Sequence, residues 1–215
     1  MSDYKELKEK LFLKRDNGLL SATDEENERI FEYCEGYKSF LNTAKTEREA
    51  VKAAVALAEE KGFKPFSRDE KYSAGDKVYF NNRGKTVAFA VIGKQDCESG
   101  FNITAAHIDS PRLDLKPNPV YEEIELALFK THYYGGIKKY QWPTVPLALH
   151  GVFAKKDGTV TEVKIGEDEN DPKFVVNDLL PHLASEQCKR SLSDGIRGEE
   201  LNVLIGSMPF KDDEG

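Results

Sequence analysis

The sequence predicts an α/β fold with a β-rich second unit, and three observations carry that prediction. Two early segments open on capping boxes and repeat apolar residues at helical spacing. Short strand-like runs follow from Lys77 to Ala106. Beyond Pro111 the texture changes again, with prolines and glycines punctuating further strand-like runs. The 215 residues suffice for one or two domains of roughly 100–200 residues. We divide them at residue 113, giving an α/β unit over 1–113 and a β-rich unit over 114–215.

A short helix is expected over Tyr4–Phe12, before a break at Asn17-Gly18. Thr23-x-x-Glu26 has the form of a capping box, and Ile30, Tyr33, Cys34, Tyr37, Phe40 and Leu41 continue it at helical spacing. Thr46-Glu47-Arg48-Glu49 opens a second capped helix with Ala50, Val51, Ala54, Val55, Leu57 and Ala58 on its apolar face. Gly62 stands where a C′ glycine belongs.

Lys77–Phe80 and Thr86–Ile92 then read as strands around the turn Asn81–Gly84. Phe101–Ala106 reads as a third strand, apolar enough for burial on both faces. In the second unit, Leu147–Ala154, Thr159–Ile165 and Leu201–Ile205 read as strands. Val175–Asn177 leads into a helix expected over Asp178–Ser191, with Pro181 in its first turn. Cys34 and Cys188 are expected to pack in the core from apolar helix faces.

Composition excludes several classes. The net charge is −7 with both signs interspersed, and no basic stripe suggests nucleic acid as a partner. The apolar runs fall short of the about 20 residues that span a bilayer, and the N-terminus lacks the apolar core of a signal peptide. Cys34, Cys97 and Cys188 lie far apart without a Cys-x-x-Cys pair, which fits a reducing compartment. The sequence thus predicts a cytoplasmic protein without a membrane partner.

The chemistry-bearing stretch is Ala106-His107-Ile108-Asp109-Ser110-Pro111. His107 closes the third expected strand, and ligands gather outside the carboxyl ends of strands in open α/β sheets. Imidazole is a common zinc ligand, and a ligating His often gives its other N–H to a carboxylate. His-x-Asp supplies both groups within three residues. Taken alone it also arises by chance, and the pair could simply hydrogen-bond to close a strand end. His132, His150 and His182 are scattered without ligand spacing and read as structural. Asp114 sits between Leu113 and Leu115 and reads as part of an alternating strand face. Tyr134-Gly135-Gly136 lacks the Lys-Ser/Thr of a phosphate loop.

Ala105–Leu113 closely resembles the segment that carries the first zinc ligand in the aspartyl aminopeptidases. These are dinuclear-zinc metallopeptidases that include vacuolar aminopeptidase I. The resemblance runs in order from about Thr46 to Pro209. Lys45–Glu49 is similar to the family's N-terminal signature, and Asn82–Lys85 to its hairpin. Thr131–Ile137, Trp142-Pro143 and Pro181–Ala184 are similar to its insert domain. The resemblance implies that residues 1–113 form the N-terminal half of a zinc-peptidase catalytic domain. Residues 114–215 would then be a β-rich insert that mediates dimerisation, expected to be incomplete at its C-terminal end.

It further implies that His107 ligates zinc and that Asp109, the position given a catalytic role, orients His107. The implied cofactor is zinc, two ions in the complete enzyme. The implied reaction is metal-assisted removal of N-terminal residues from peptide substrates, acidic ones by preference in several members. The family's bridging aspartate, glutamate pair, further aspartate and late histidine have no match here, so this chain is expected to be an N-terminal portion, inactive alone. The strand-like run Leu201–Phe210, ending just before Gly215, fits that expectation. The family's substrate-approaching histidine falls at Glu186, and that role is not carried over. A homodimer or larger homo-oligomer is expected. The competing expectation is a non-catalytic oligomerisation module derived from the same family.

Overall fold

A helix begins where its first four N–H groups find partners, and Thr46 supplies that start for the longest-range contacts of this chain. Its hydroxyl accepts from the Glu49 N–H, and the Glu49 carboxylate accepts from the Thr46 N–H at 3.0 Å. The computed structural model, which describes residues 2–13, 15 and 17–208, forms two compact units, 1–43 and 44–215. The end of the run to Phe210 and residues 211–215 lie outside the described residues.

The first unit holds α1 (Ser2–Leu11) and α2 (Asp24–Thr43). The expected capping box is present at α2, where the Thr23 N–H donates to Glu26 at 2.8 Å. Cys34, expected in a core, is exposed on this helix.

The second unit opens with α3 (Glu47–Glu60), which buries Ala50, Val51 and Ala58, and Gly62 follows it at φ +83°. β1 (Lys64–Pro65) runs parallel to β2 (Lys77–Asn82), and β2 pairs antiparallel with β3 (Thr86–Val91). Phe63 meets Phe89 edge-on, and the Tyr79 hydroxyl donates to Glu59 at 2.6 Å, tying this sheet to α3.

The expected third strand does not form. Residues 101–111 carry no regular structure, and Phe101 and Ile103 are exposed. An extended apolar segment becomes a strand only when another strand satisfies its N–H and C=O groups, and no described strand pairs with it.

A long hairpin follows that the prolines concealed. β4 (Arg112–Glu123) pairs antiparallel with β5 (Leu126–Tyr134). Pro117 and Pro119 are accommodated because the register breaks between Leu115 and Val120 and because β4 is an edge strand. The connecting turn is Ile124-Glu125, both at positive φ (53° and 59°), a geometry usually signalled by Asn-Gly.

β6 (Leu149–Ala154) and β7 (Val160–Ile165) form a separate two-stranded ribbon. β8 (Val175–Val176) and β9 (Val203–Gly206) complete the larger sheet, whose order is β4-β5-β9-β8.

The helix expected over 178–191 is instead a run of turns with one 3-10 turn at Gln187–Lys189. Pro181 offers no N–H and drives Leu180 away from helical φ/ψ. The bonds that form there are mostly of the tighter three-residue kind, such as Leu183 N–H to Leu180 C=O at 2.8 Å. Cys188 is consequently exposed rather than packed.

The core of this unit gathers Val176, Ile196, Leu201 and Val203, with Phe129, Tyr133, Trp142 and Phe174 against them. The buried Thr131 hydroxyl donates to the Leu201 carbonyl. Gly198 lies under the Tyr133 ring, where a Cβ would come within 2.7 Å. Leu201 is 0% exposed, so Leu201→Ala is expected to cost about 2–5 kcal/mol by urea denaturation. Leu192→Ala, at a residue 70% exposed, should stay within about 0.5 kcal/mol of the parent in the same measurement.

Candidate functional site

The site lies on the irregular segment between β3 and β4. His107 Nδ1 faces two oxygens of one residue, the Asp109 backbone carbonyl at 3.0 Å and the Asp109 Oδ1 at 3.1 Å. A carbonyl oxygen only accepts, so Nδ1 carries the hydrogen and donates. The neutral ring then keeps its lone pair on Nε2. The His107 side chain is 83% exposed, so that nitrogen faces solvent.

The structure thus brings His107 and Asp109 together, and it adds a residue that sequence reasoning missed. The Tyr134 hydroxyl, from the end of β5, donates to Asp109 Oδ2 at 2.7 Å. That bond, followed by the residue's own backbone N–H and the His107 ring, holds the Asp109 carboxyl below its usual pKa. The Asp109 carboxylate in turn pushes the Tyr134 phenol up.

Arg112, the direct cross-strand neighbour of Tyr134, lies over that ring with its guanidinium carbon 4.0 Å from the centroid. It also pairs with Asp114 at 2.7 Å and with Glu47, in the first turn of α3, at 3.0 Å. Asp114 therefore partners an arginine on β4, in keeping with its strand reading. No sequence signal pointed to Tyr134, because its place depends on the β4–β5 register and on a turn without Asn or Gly.

A second cluster joins α3 to the β6–β7 ribbon. The His150 side chain, 8% exposed, sits between Glu49 at 2.9 Å from Nδ1 and Glu167 at 2.8 Å from Nε2. Burial opposes ionisation of Glu49, yet hydrogen bonds from His150 and Thr46 outweigh it and hold its pKa below the usual value. Lys52 reaches Glu162 of β7 from the next turn of α3 at 3.3 Å, an exposed contact of little weight.

Among the described residues, no three His, Cys, Asp or Glu side chains gather closely enough to hold a metal ion. His107 suits zinc as a donor, since its tautomer presents an sp² nitrogen lone pair to solvent. One such donor does not make a catalytic zinc site, which takes three protein ligands. No helix among the described residues is long and apolar enough to cross a membrane.

Against known proteins, residues 40–214 match the family model described as aminopeptidase I zinc metalloprotease (M18). A probable M18 family aminopeptidase 1 of Clostridium acetobutylicum is 52% identical over 195 residues, covering 89% of this chain and 42% of that protein. The crystal structure of an M18 aminopeptidase from Thermotoga maritima superposes with a TM-score of 0.86 at 42% identity, covering 94% of this chain and 44% of that one. Aminopeptidase I from Borrelia burgdorferi gives a TM-score of 0.79 at 41% identity, covering 93% and 45%. Yeast aminopeptidase 1, 20% identical with a TM-score of 0.61, shares the fold.

A mixed α/β chain with an exposed, carboxylate-oriented histidine thus matches part of a zinc-peptidase domain. The chain belongs to the M18 family of zinc metalloproteases, and it spans less than half the length of the relatives it matches.

The Glu49–His150 contact sets an acid limit. A carboxyl whose pKa is depressed on folding stabilises fully above its ordinary value, 4.5 for Glu, and loses that contribution as pH falls through the lower folded value. His150→Ala is therefore expected to cost about 1–3 kcal/mol at neutral pH by urea denaturation. The gap from the parent should narrow below pH 4.5, once Glu49 protonates.

Proposed function

We propose that this chain supplies the His107 ligand and the Asp109 orienting carboxylate of a zinc aminopeptidase, which removes N-terminal residues from peptides with acidic residues as the favoured class. The single observation behind this is the placement of His107 Nδ1 against two oxygens of Asp109, on a side chain turned to solvent, which calls for the Nδ1–H tautomer. His107 Nε2 would hold one zinc ion, and Asp109 would keep the hydrogen on Nδ1 and the ring plane in place. Zinc, when bound, supplies Lewis acidity and lowers the pKa of water toward neutrality. The remaining ligands, a second zinc and the general base are assigned to protein beyond these 215 residues. In this reading residues 1–113 are half of the catalytic domain and 114–215 the dimerisation insert, in a cytoplasmic homo-oligomer.

The test is a chimera joining this chain to the remaining part of the Clostridium acetobutylicum relative, assayed on aspartyl and leucyl amides with zinc or cobalt. Metal-dependent turnover is expected, falling at least about 100-fold in His107→Ala, since the residue touches the metal. An inactive chimera that nevertheless folds would favour the non-catalytic module. The 215-residue chain alone is expected to turn over neither substrate and to bind zinc weakly by calorimetry, because one histidine chelates poorly. A tight one-to-one site would overturn the ligand assignment.

Self-association follows from the exposed Val152, Phe153 and Val160 of the β6–β7 ribbon. Size-exclusion with light scattering should show a dimer at tens of micromolar. A clean monomer would refute an insert-mediated contact.

A further inference from the structure

The segment from Phe101 to Pro111 has no strand partner and no helix to hold it. The orientation of the Asp109 carboxylate must therefore come from contacts made by its own atoms. Its carboxylate has two oxygens that exchange by rotation about one bond, and only one of them is needed for His107. The other is taken by Tyr134 at 2.7 Å.

The tyrosine ring is itself held. The Arg112 guanidinium lies 4.0 Å from its centroid, within the range of a cation–π contact. That guanidinium is fixed by Glu47 at 3.0 Å and Asp114 at 2.7 Å. Just past β5, Gly135 turns the chain at φ +82° beside Pro111, whose Cα lies 3.6 Å from the position of a Cβ there, an ordinary contact. Arg112 also reaches back to the Ser110 carbonyl at 3.4 Å. Every tether of the segment on this side thus runs to the open end of the β4–β5 hairpin.

We propose that Tyr134 is a positioning residue for the metal-ligand histidine. By occupying Oδ2 of Asp109 it commits Oδ1 to the His107 Nδ1–H, and so keeps the Nε2 lone pair available. Arg112 and Glu47 serve by holding the Tyr134 ring. The proposal rests on the reading of His107 as the zinc ligand, but its test does not require activity. A merely structural tyrosine would stabilise the hairpin without altering the tautomer of a histidine that it does not touch.

The experiment is ¹⁵N-edited NMR of imidazole-labelled protein at about pH 8, above the ordinary histidine range. His107 is assigned by comparison with His107→Gln. The parent is expected to show His107 mainly as the Nδ1–H form. Tyr134→Phe keeps the ring under Arg112 and removes only the hydroxyl. It should lower the ratio of Nδ1–H to Nε2–H at His107 by about threefold or more, in line with the loss of a charge-assisted hydrogen bond.

Urea midpoints are measured in parallel. An unchanged His107 tautomer in folded Tyr134→Phe overturns the proposal, whatever its stability. Arg112→Lys keeps the charge but loses the planar fork, and it should shift the ratio in the same direction. No shift in either variant leaves Tyr134 a hairpin residue only. If instead the active chimera keeps its activity in His107→Ala, the zinc-ligand reading fails while the tautomer result stands on its own.

Discussion

The first turn of α3 is the constraint on which the second unit depends. Four consecutive residues each do separate work there. Thr46 caps the helix, Glu47 pairs with Arg112 and Arg48 reaches the Arg83 carbonyl at 3.4 Å. Glu49 closes the capping box and pairs with His150. The short sequence Thr-Glu-Arg-Glu thereby fixes the β2–β3 turn, the β4–β5 hairpin and the β6–β7 ribbon to one helix end. Side chains that leave a helix start are aligned by its cap, so Arg112 and His150 each meet a carboxylate and the Arg83 carbonyl meets a guanidinium on one capped turn.

That arrangement explains what could be read in advance. The two long helices were legible because capping boxes and apolar spacing are local. So was the β2–β3 hairpin, marked by Asn81-Asn82-Arg83-Gly84. His107 and Asp109 stood out because two chemically specific groups sit two residues apart. Tyr134 and Arg112 did not, since their meeting depends on strand register.

The misreadings have the same root. Phe101–Ala106 has the composition of a buried strand, but a strand is a pairwise structure, and its partner is not among the described strands. Residues 178–191 have apolar spacing, yet Leu180-Pro181 denies the helix its start. Pro117 and Pro119 looked like breaks where the chain in fact continues as an edge strand around a bulge. In each case a local pattern was overruled by which backbone groups could find a partner.

The bulge in β4 has a mechanical consequence. Lys116, Pro117, Asn118 and Pro119 stand opposite Lys130 alone, so the hairpin consists of two separately registered ladders. One holds Arg112 against Tyr134, and the other runs to the Ile124-Glu125 tip. Residues gained or lost at the tip change the outer ladder, and the slack at 116–119 absorbs the offset before it reaches the inner one. Only the tip itself is thereby free to vary, since Ala127, Leu128 and Phe129 also pair with β9, while the end that grips Asp109 stays in phase.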